Sequence, residues 1–122
     1  MAATNEILTI LLFLCLISQG YGFCSIKDLT VDVAKSGAEI KGKPEWVVTI
    51  TNKCACVQKD VKLNCKGFNT VEQIDPSILS VSDNVCLVVN NGNPIYRDPI
   101  TFKYAWDTQF PLNPIESQIA CS

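Results

Sequence analysis

The chain has 122 residues, a formal net charge of −2 at pH 7 and no histidine. Arg97 is its one arginine, so the net positive charge and arginine side chains that hold nucleic acid are missing, and this composition argues against a nucleic-acid-binding function. Without histidine, Ser–His and Cys–His nucleophiles and histidine-ligated zinc are excluded as well.

The N-terminal segment has the pattern of a secretory signal peptide. Ile7–Ile17 is an apolar run of eleven residues, which is too short for a membrane span of about 20 residues. Small residues then permit cleavage after Gly22 or, two positions earlier, after Gly20. Residues 1–22 are therefore predicted to be a signal peptide, and the alternatives are a retained anchor or a buried first strand.

The remaining residues, 23–122, are predicted to form one secreted domain without membrane insertion. Its even number of cysteines predicts three disulfides. Cys54 and Cys56 flank one residue and would point to opposite faces of a strand, so they are not expected to bridge each other. Twelve of about 15 possible pairings stay open. Cysteines in disulfides offer no thiolate to a metal, so no metal site is expected. The six are Cys24, Cys54, Cys56, Cys65, Cys86 and Cys121.

Five segments alternate apolar and polar residues or form short apolar runs rich in Val, Thr and aromatic residues. This period of two is typical of half-buried strands rather than helices. The predicted strands are, in chain order, Leu29–Val33, Trp46–Thr51, Val61–Cys65, Val85–Val89 and Thr101–Trp106.

Turn residues separate these segments. Pro76 limits a helical candidate, Val71–Val81, to one or two turns, and the tail Pro111–Ser122 is predicted to be irregular until Cys121. Several short strands at this spacing predict an all-β fold, a small disulfide-stapled β-sandwich with a single domain. The breakers are Ser36-Gly37, Gly42-Lys43-Pro44, Lys66-Gly67, Asn90–Pro94 and Asp98-Pro99.

Catalysis is not expected. A pair of carboxylates could still hydrolyse a glycosidic bond, but the candidates lie at turns or on the polar sides of strands, where solvated carboxylates are usual. The chain is therefore predicted not to be an enzyme and to need no cofactor or metal. The candidates are Asp28, Asp32, Glu72, Asp75, Asp98 and Asp107.

Aromatic side chains offer the remaining chemistry for recognition. Trp46 and the series Phe102, Tyr104, Trp106 lie on alternating stripes and are expected to face the core. Tyr96 and Arg97 instead lie in a proline-bounded loop, and aromatic and arginine side chains dominate protein hot spots. These two residues are the candidate partner contact.

Six cysteines in this order, together with the motifs between them, resemble the plant tapetum-determinant-like family of secreted cysteine-rich proteins. The resemblance runs from Cys24 to Cys121. This chain departs from the family's best-known members by having only one residue between its second and third cysteines. The motifs are Cys24-Ser25-Ile26, Ile50-x-Asn52-x-Cys54, Leu63-x-Cys65-x-x-Phe68, Ile74-Asp75-Pro76, Cys86-Leu87-Val88 before Asn-x-Gly-x-Pro, Phe102-x-Tyr104-Ala105 and Phe110-Pro111-Leu112.

The resemblance implies a secreted, extracellular (apoplastic) signalling protein. Its best-known members are ligands of a leucine-rich-repeat receptor kinase that specifies the anther tapetum, a step of plant reproductive development. The expected partner is therefore a receptor-kinase ectodomain. A carbohydrate-binding module of the cell wall, with a polysaccharide as partner, is the alternative, and a small extracellular enzyme or inhibitor is a third hypothesis.

Overall fold

The structure, a computed structural model, describes residues 24–121. The predicted signal peptide lies outside the described residues. The chain begins with a short 3-10 turn, Ile26–Asp28, and a second one, Asn90–Gly92, lies in the loop before the sixth strand. The strands are β1 (Leu29–Ile40), β2 (Lys43–Asn52), β3 (Val57–Asn64), β4 (Leu79–Ser82), β5 (Val85–Val88), β6 (Ile100–Ala105) and β7 (Asn113–Ala120).

The seven strands form two antiparallel sheets. One has three strands in the order β1-β2-β6, and the other has four in the order β4-β5-β3-β7. Alternate residues of each sheet point inward: Val48 and Ile50 of β2 and Val61 and Leu63 of β3 are all at most 1% exposed. The all-β, single-domain sandwich predicted from the alternating pattern is confirmed.

All five predicted strands are present, but two further strands were not predicted. The helical candidate Val71–Val81 forms no helix; its last residues belong to the short strand β4, which pairs with β5. The expectation that the tail Pro111–Ser122 is irregular is also wrong, because residues 113–120 form β7 against β3. β7 is mostly exposed, and its apolar residues do not alternate with polar ones, so the sequence shows no strand pattern there.

The break predicted at Ser36-Gly37 is a bulge rather than a strand end. β1 continues to Ile40, and its register with β2 shifts between Lys35 and Glu39. Gly37 has a φ of 94°, a value that glycine reaches without steric cost.

All six cysteines among residues 24–121 are paired, and Cys54 and Cys56 have different partners. The bonds join Cys24 to Cys54, Cys56 to Cys121 and Cys65 to Cys86, with Cα–Cα distances of 5.6, 4.8 and 5.8 Å. The first two bonds hold both ends of the described chain against the short connection between β2 and β3. The third lies in the core and ties the end of β3 to β5.

One part of the core is a cluster of aromatic rings around Tyr104. Tyr104 is fully buried; its ring stacks with that of Trp46 at 6.5 Å and meets Phe68 and Phe110 edge-on or tilted at 5.1 and 5.6 Å. The Tyr104 hydroxyl accepts a hydrogen bond of 2.9 Å from the backbone N–H of Phe110. The expectation that these alternating aromatic residues face the core is met by Trp46, Phe102 and Tyr104, and Trp106 is partly buried.

Candidate functional site

The loop from Asn90 to Asp98 is the most distinctive irregular segment of the surface. It opens with three consecutive residues of positive φ: Asn90 at 48°, Asn91 at 56° and Gly92 at 82°. Asparagine and glycine tolerate this left-handed conformation better than other residues. The Asn90 side-chain amide donates to the carbonyl oxygen of Asn93 at 3.1 Å, which fixes the turn from within.

Ile95 anchors the second half of this loop. Its side chain is 2% exposed, and its backbone forms an isolated antiparallel bridge with Gln58 of β3. The Ile95 N–H donates to the Gln58 carbonyl oxygen at 2.7 Å, and the Gln58 N–H donates back at 2.9 Å. The residues that follow Ile95 are therefore presented from a fixed point.

Tyr96 and Arg97 follow this anchor and point outward. Tyr96 is 38% exposed, and the guanidinium carbon of Arg97 lies 5.2 Å from the centre of its ring. Among residues 24–121, no carboxylate forms an ion pair with Arg97. The two side chains thus support each other through a cation–π contact while the guanidinium stays free to bind a partner.

A polar cluster lies beneath the loop: Asn52 and Gln58 are buried, and they bond the partly buried Ser117 and the backbone of Ser25 at the surface. The Asn52 amide donates to the carbonyl oxygens of Ile95 and Cys56, both at 2.9 Å, and its oxygen accepts from the Cys54 N–H and the Gln58 amide. Gln58, fully buried, also donates to the Ser25 carbonyl oxygen and accepts from the Ser117 hydroxyl at 2.7 Å.

Every side-chain hydrogen-bonding group of Asn52 and Gln58 has a partner, which is the condition under which a buried polar cluster stabilises one conformation. The disulfides Cys24–Cys54 and Cys56–Cys121 close around the same place. The sequence alone gave no indication of this cluster, since Asn52 and Gln58 are polar residues that usually lie at the surface. The loop therefore rests on a rigid base.

The structure gives little support to an aromatic platform for sugars. Trp46 and Tyr104 are 8% and 0% exposed, so neither can stack on a sugar ring from outside. Trp106 is partly buried, and the Lys43 ammonium lies 5.2 Å from its ring centre. Tyr96 is the one large exposed aromatic side chain in the described part of the chain.

Several candidate carboxylates have structural contacts instead of a shared site. Asp28 accepts from the Ser25 N–H, and Asp107 forms an ion pair with Lys43 at 2.7 Å. Two hydrogen bonds from Ser77, first from its N–H and then from its hydroxyl, lower the pKa of Asp75. Each of these carboxylates is fixed by a local partner.

Glu72 is different, because it lies against a second carboxyl group, that of Glu45. Glu45 was not among the predicted candidates, since it precedes an alternating strand where a solvated carboxylate is usual. Each carboxyl is the side-chain hydrogen-bond partner of the other, whereas the carboxyls of glycosidases are roughly 5–9.5 Å apart. Glu72 also lines an open cleft of about 520 Å³ between residues 70–76 and β4.

The fold and the loop define a class of protein: a small β-sandwich stapled by three disulfides that presents one exposed, internally braced loop. None of the helices in the described residues is long and apolar enough to cross a membrane.

The comparison with known families identifies the group within this class. The model of the family named "Tapetum determinant 1, C-terminal" matches residues 25–122, and the chain belongs to this family. The chain is also 32% identical over 101 residues to "TPD1 protein homolog 1B" of Oryza sativa subsp. japonica, a match that covers 80% of this chain and 59% of that relative. No solved structure gives a significant match. The family resemblance inferred from the cysteine pattern is confirmed.

Proposed function

We propose that the protein is a secreted extracellular signalling protein of plants that acts as a ligand of a leucine-rich-repeat receptor kinase. The observation that carries this proposal is the loop Asn90–Asp98, held by Ile95 and the polar cluster, which presents Tyr96 and Arg97 as a preformed pair. A preformed contact loses little conformational entropy on binding. Membership of the tapetum determinant 1 family supports a role in development, and three disulfides suit an oxidising compartment such as the apoplast.

On this proposal Tyr96 supplies apolar contact area and Arg97 supplies a charged fork for a carboxylate of the receptor. Arginine binds carboxylates with two parallel hydrogen bonds, and aromatic and arginine residues dominate interface hot spots. The protein would then act by binding, without catalysis, cofactor or metal.

Binding of the oxidatively refolded chain from Phe23 onward tests the proposal. Two panels are compared side by side, one of plant leucine-rich-repeat receptor ectodomains and one of cell-wall polysaccharides. Saturable binding to an ectodomain that is lost on reduction is the expected result. Binding to a polysaccharide with no ectodomain signal would instead identify a wall-associated module.

Two variants then test the contact. Tyr96→Ala combined with Arg97→Ala is expected to weaken receptor binding by about a hundredfold, because truncating a hot-spot residue costs roughly 2 kcal/mol or more. Val81→Ala on β4 is the matched control, since Val81 is 48% exposed and lies outside the loop. Equal affinities of the double variant and the control would show that the receptor uses another surface.

A further inference from the structure

Glu45 and Glu72 meet over the outer face of the three-stranded sheet. Trp46 and Tyr104, which pair across β2 and β6, point inward, so the neighbouring pair Glu45 and Ala105 points outward. Even so, Ala105 is 0% exposed and Glu45 only 6% exposed. Something covers this part of the face, and it is the segment from residue 70 to residue 74.

Backbone contacts with Ala105 hold this segment in place. The Val71 N–H donates to the Ala105 carbonyl oxygen at 3.0 Å, and the Ala105 N–H donates to the Thr70 hydroxyl at 2.9 Å. The Thr70 hydroxyl also bonds both the N–H and the carbonyl oxygen of Glu72. These bonds hold Glu72 beside β6 at the position where Ala105 pairs with Glu45.

The carboxyl oxygens do not have enough donors for two ionised groups. Glu45 Oε1 accepts a hydrogen bond of 2.7 Å from the Ser36 hydroxyl. Glu72 Oε1 is buried and has no donor among the described residues. A buried carboxylate oxygen without a donor, next to another carboxyl, carries a free-energy cost that a proton between the two groups removes.

We propose that Glu45 and Glu72 share one proton, and that this proton holds the segment 70–74 against the edge of β6. Glu72 carries the proton and donates it in a hydrogen bond to the Glu45 carboxylate. Two carboxyl groups in contact repel each other when both are ionised, and one shared proton removes this repulsion. The segment forms one wall of the open cleft beside β4, so the shared proton also sets the shape of that cleft.

The directions of the pKa shifts agree with this assignment of the proton. Burial first, and then the hydrogen bond with Glu45, raises the pKa of Glu72. The hydrogen bond from Ser36 first, and then that from Glu72, lowers the pKa of Glu45. Lys103 of β6 faces both carboxyls and favours the charged form of each.

The other charged groups on the strands around Glu45 and Glu72 contact other residues. On β1, the Lys35 ammonium lies 5.6 Å from the Trp46 ring centre, and exposed Glu39 pairs in register with Pro44. On β2, Lys43 forms its ion pair with Asp107. The pair and Lys103 therefore dominate the local titration.

The sign of the pH dependence follows from these directions. Glu72, with a raised pKa, stabilises the fold below its unfolded pKa and loses this contribution as the pH rises through its folded value. Glu45, with a lowered pKa, contributes above its unfolded pKa and loses its contribution as the pH falls through its folded value. The segment is therefore held best in a mildly acidic window around the usual glutamate pKa, and it is released toward neutral pH.

Hydrogen exchange at the Val71 amide, followed by NMR in the full disulfide-bonded protein, measures this release. After correction for the intrinsic rate, opening is expected to rise by about tenfold or more from mildly acidic to neutral pH, because Glu72 loses its proton in this range. Glu72→Gln retains a neutral donor to Glu45 and is expected to abolish this rise. Glu116→Gln, which removes an exposed ion pair with Lys62 on the other sheet, is the control and is expected to behave as the wild type.

A second measurement does not depend on any variant. Carboxyl ¹³C titration of the wild-type protein is expected to give two linked steps for Glu45 and Glu72, one below and one above the ordinary glutamate range. Independent titration of both groups near the usual value would overturn the proposal. An unchanged pH dependence of Val71 exchange in the Glu72→Gln protein would do so as well.

Discussion

The side-chain amide of Asn52 donates a hydrogen bond of 2.9 Å to the carbonyl oxygen of Ile95. This bond joins the end of β2, the central strand of one sheet, to the loop that carries Tyr96 and Arg97. The same amide reaches the carbonyl oxygen of Cys56, so one side chain connects the loop, a strand end and the disulfide-bonded connection. The presentation of the loop therefore depends on this side chain as well as on the residues within the loop.

Replacement of Asn52 by Ala is expected to destabilise the protein by about 2–4 kcal/mol, because several buried groups lose their partners. Urea unfolding measures this loss. Asn64→Ala is the matched control: Asn64 is exposed and bonds only the nearby Lys66 N–H, so its effect is expected to stay below about 1 kcal/mol. Equal effects of the two substitutions would contradict the role given to the polar cluster.

Glycine at position 92 is required by backbone conformation alone. Its φ is 82°, and an added Cβ would meet no atom within 4 Å, so Gly92→Ala tests strain without a clash. A cost of roughly 1 kcal/mol is expected, together with weaker receptor binding, because the turn sets the path to Tyr96. Gly42→Ala has nearly the same φ, 83°, and the same open surroundings in the β1–β2 turn. The Gly42→Ala protein is expected to bind the receptor normally. An equal loss of receptor binding in both variants would show that the Asn90–Asp98 loop is not specifically required.

Tyr104 is expected to ionise at a higher pH than a free tyrosine. Burial raises the pKa of its hydroxyl, and the hydrogen bond from the Phe110 N–H opposes that rise only in part. A raised folded pKa means that this residue stabilises the fold below its unfolded pKa of about 10, and that the contribution is lost as the pH rises through the folded value. The phenolate absorbance of the wild type minus that of Tyr104→Phe isolates this titration. A midpoint at or below about 10 in the difference curve would contradict the prediction.

Loss of the Cys56–Cys121 disulfide is expected to release β7. The bond spans 65 residues, and chain-entropy estimates give it about 4 kcal/mol, against roughly 3 kcal/mol for Cys65–Cys86 with its separation of 21. A Cys56→Ser/Cys121→Ser protein should lose hydrogen-exchange protection in β7 before the rest of the sheet. In the matched Cys65→Ser/Cys86→Ser protein, β7 should lose protection only together with the core. Full protection of β7 without its disulfide would show that backbone pairing to β3 is sufficient.

The sequence predicted those strands in which buried and exposed residues alternate. Residues 46–51 and 101–106 alternate because one side of each strand faces the core, so their strands and their inward aromatic residues were predictable. β7 was not predictable because it is an edge strand with few buried residues, and its pairing depends on the backbone of β3.

The candidate site also contains residues that the sequence predicted and residues that it did not. The outward position of Tyr96 and Arg97 followed from the turn residues around them. The buried amides of Asn52 and Gln58 and the contact between Glu45 and Glu72 did not, because each joins residues that are distant in sequence or polar in character. Such contacts become visible only when the two sheets and the 70–74 segment are placed together.

The arrangement of Cys54 and Cys56 has a practical consequence for labelling. Their disulfides bring Cys24 and Cys121, the first and last described residues, to the side of the sandwich where Asn52 meets the loop. A fluorescent protein or affinity tag fused directly before Cys24 or after Cys121 would therefore begin on the side of the loop that carries Tyr96 and would obstruct a receptor there. The turn at Lys41-Gly42 lies at the other end of β2, about 30 Å away at the usual rise per residue. An inserted tag at that turn would leave the loop open.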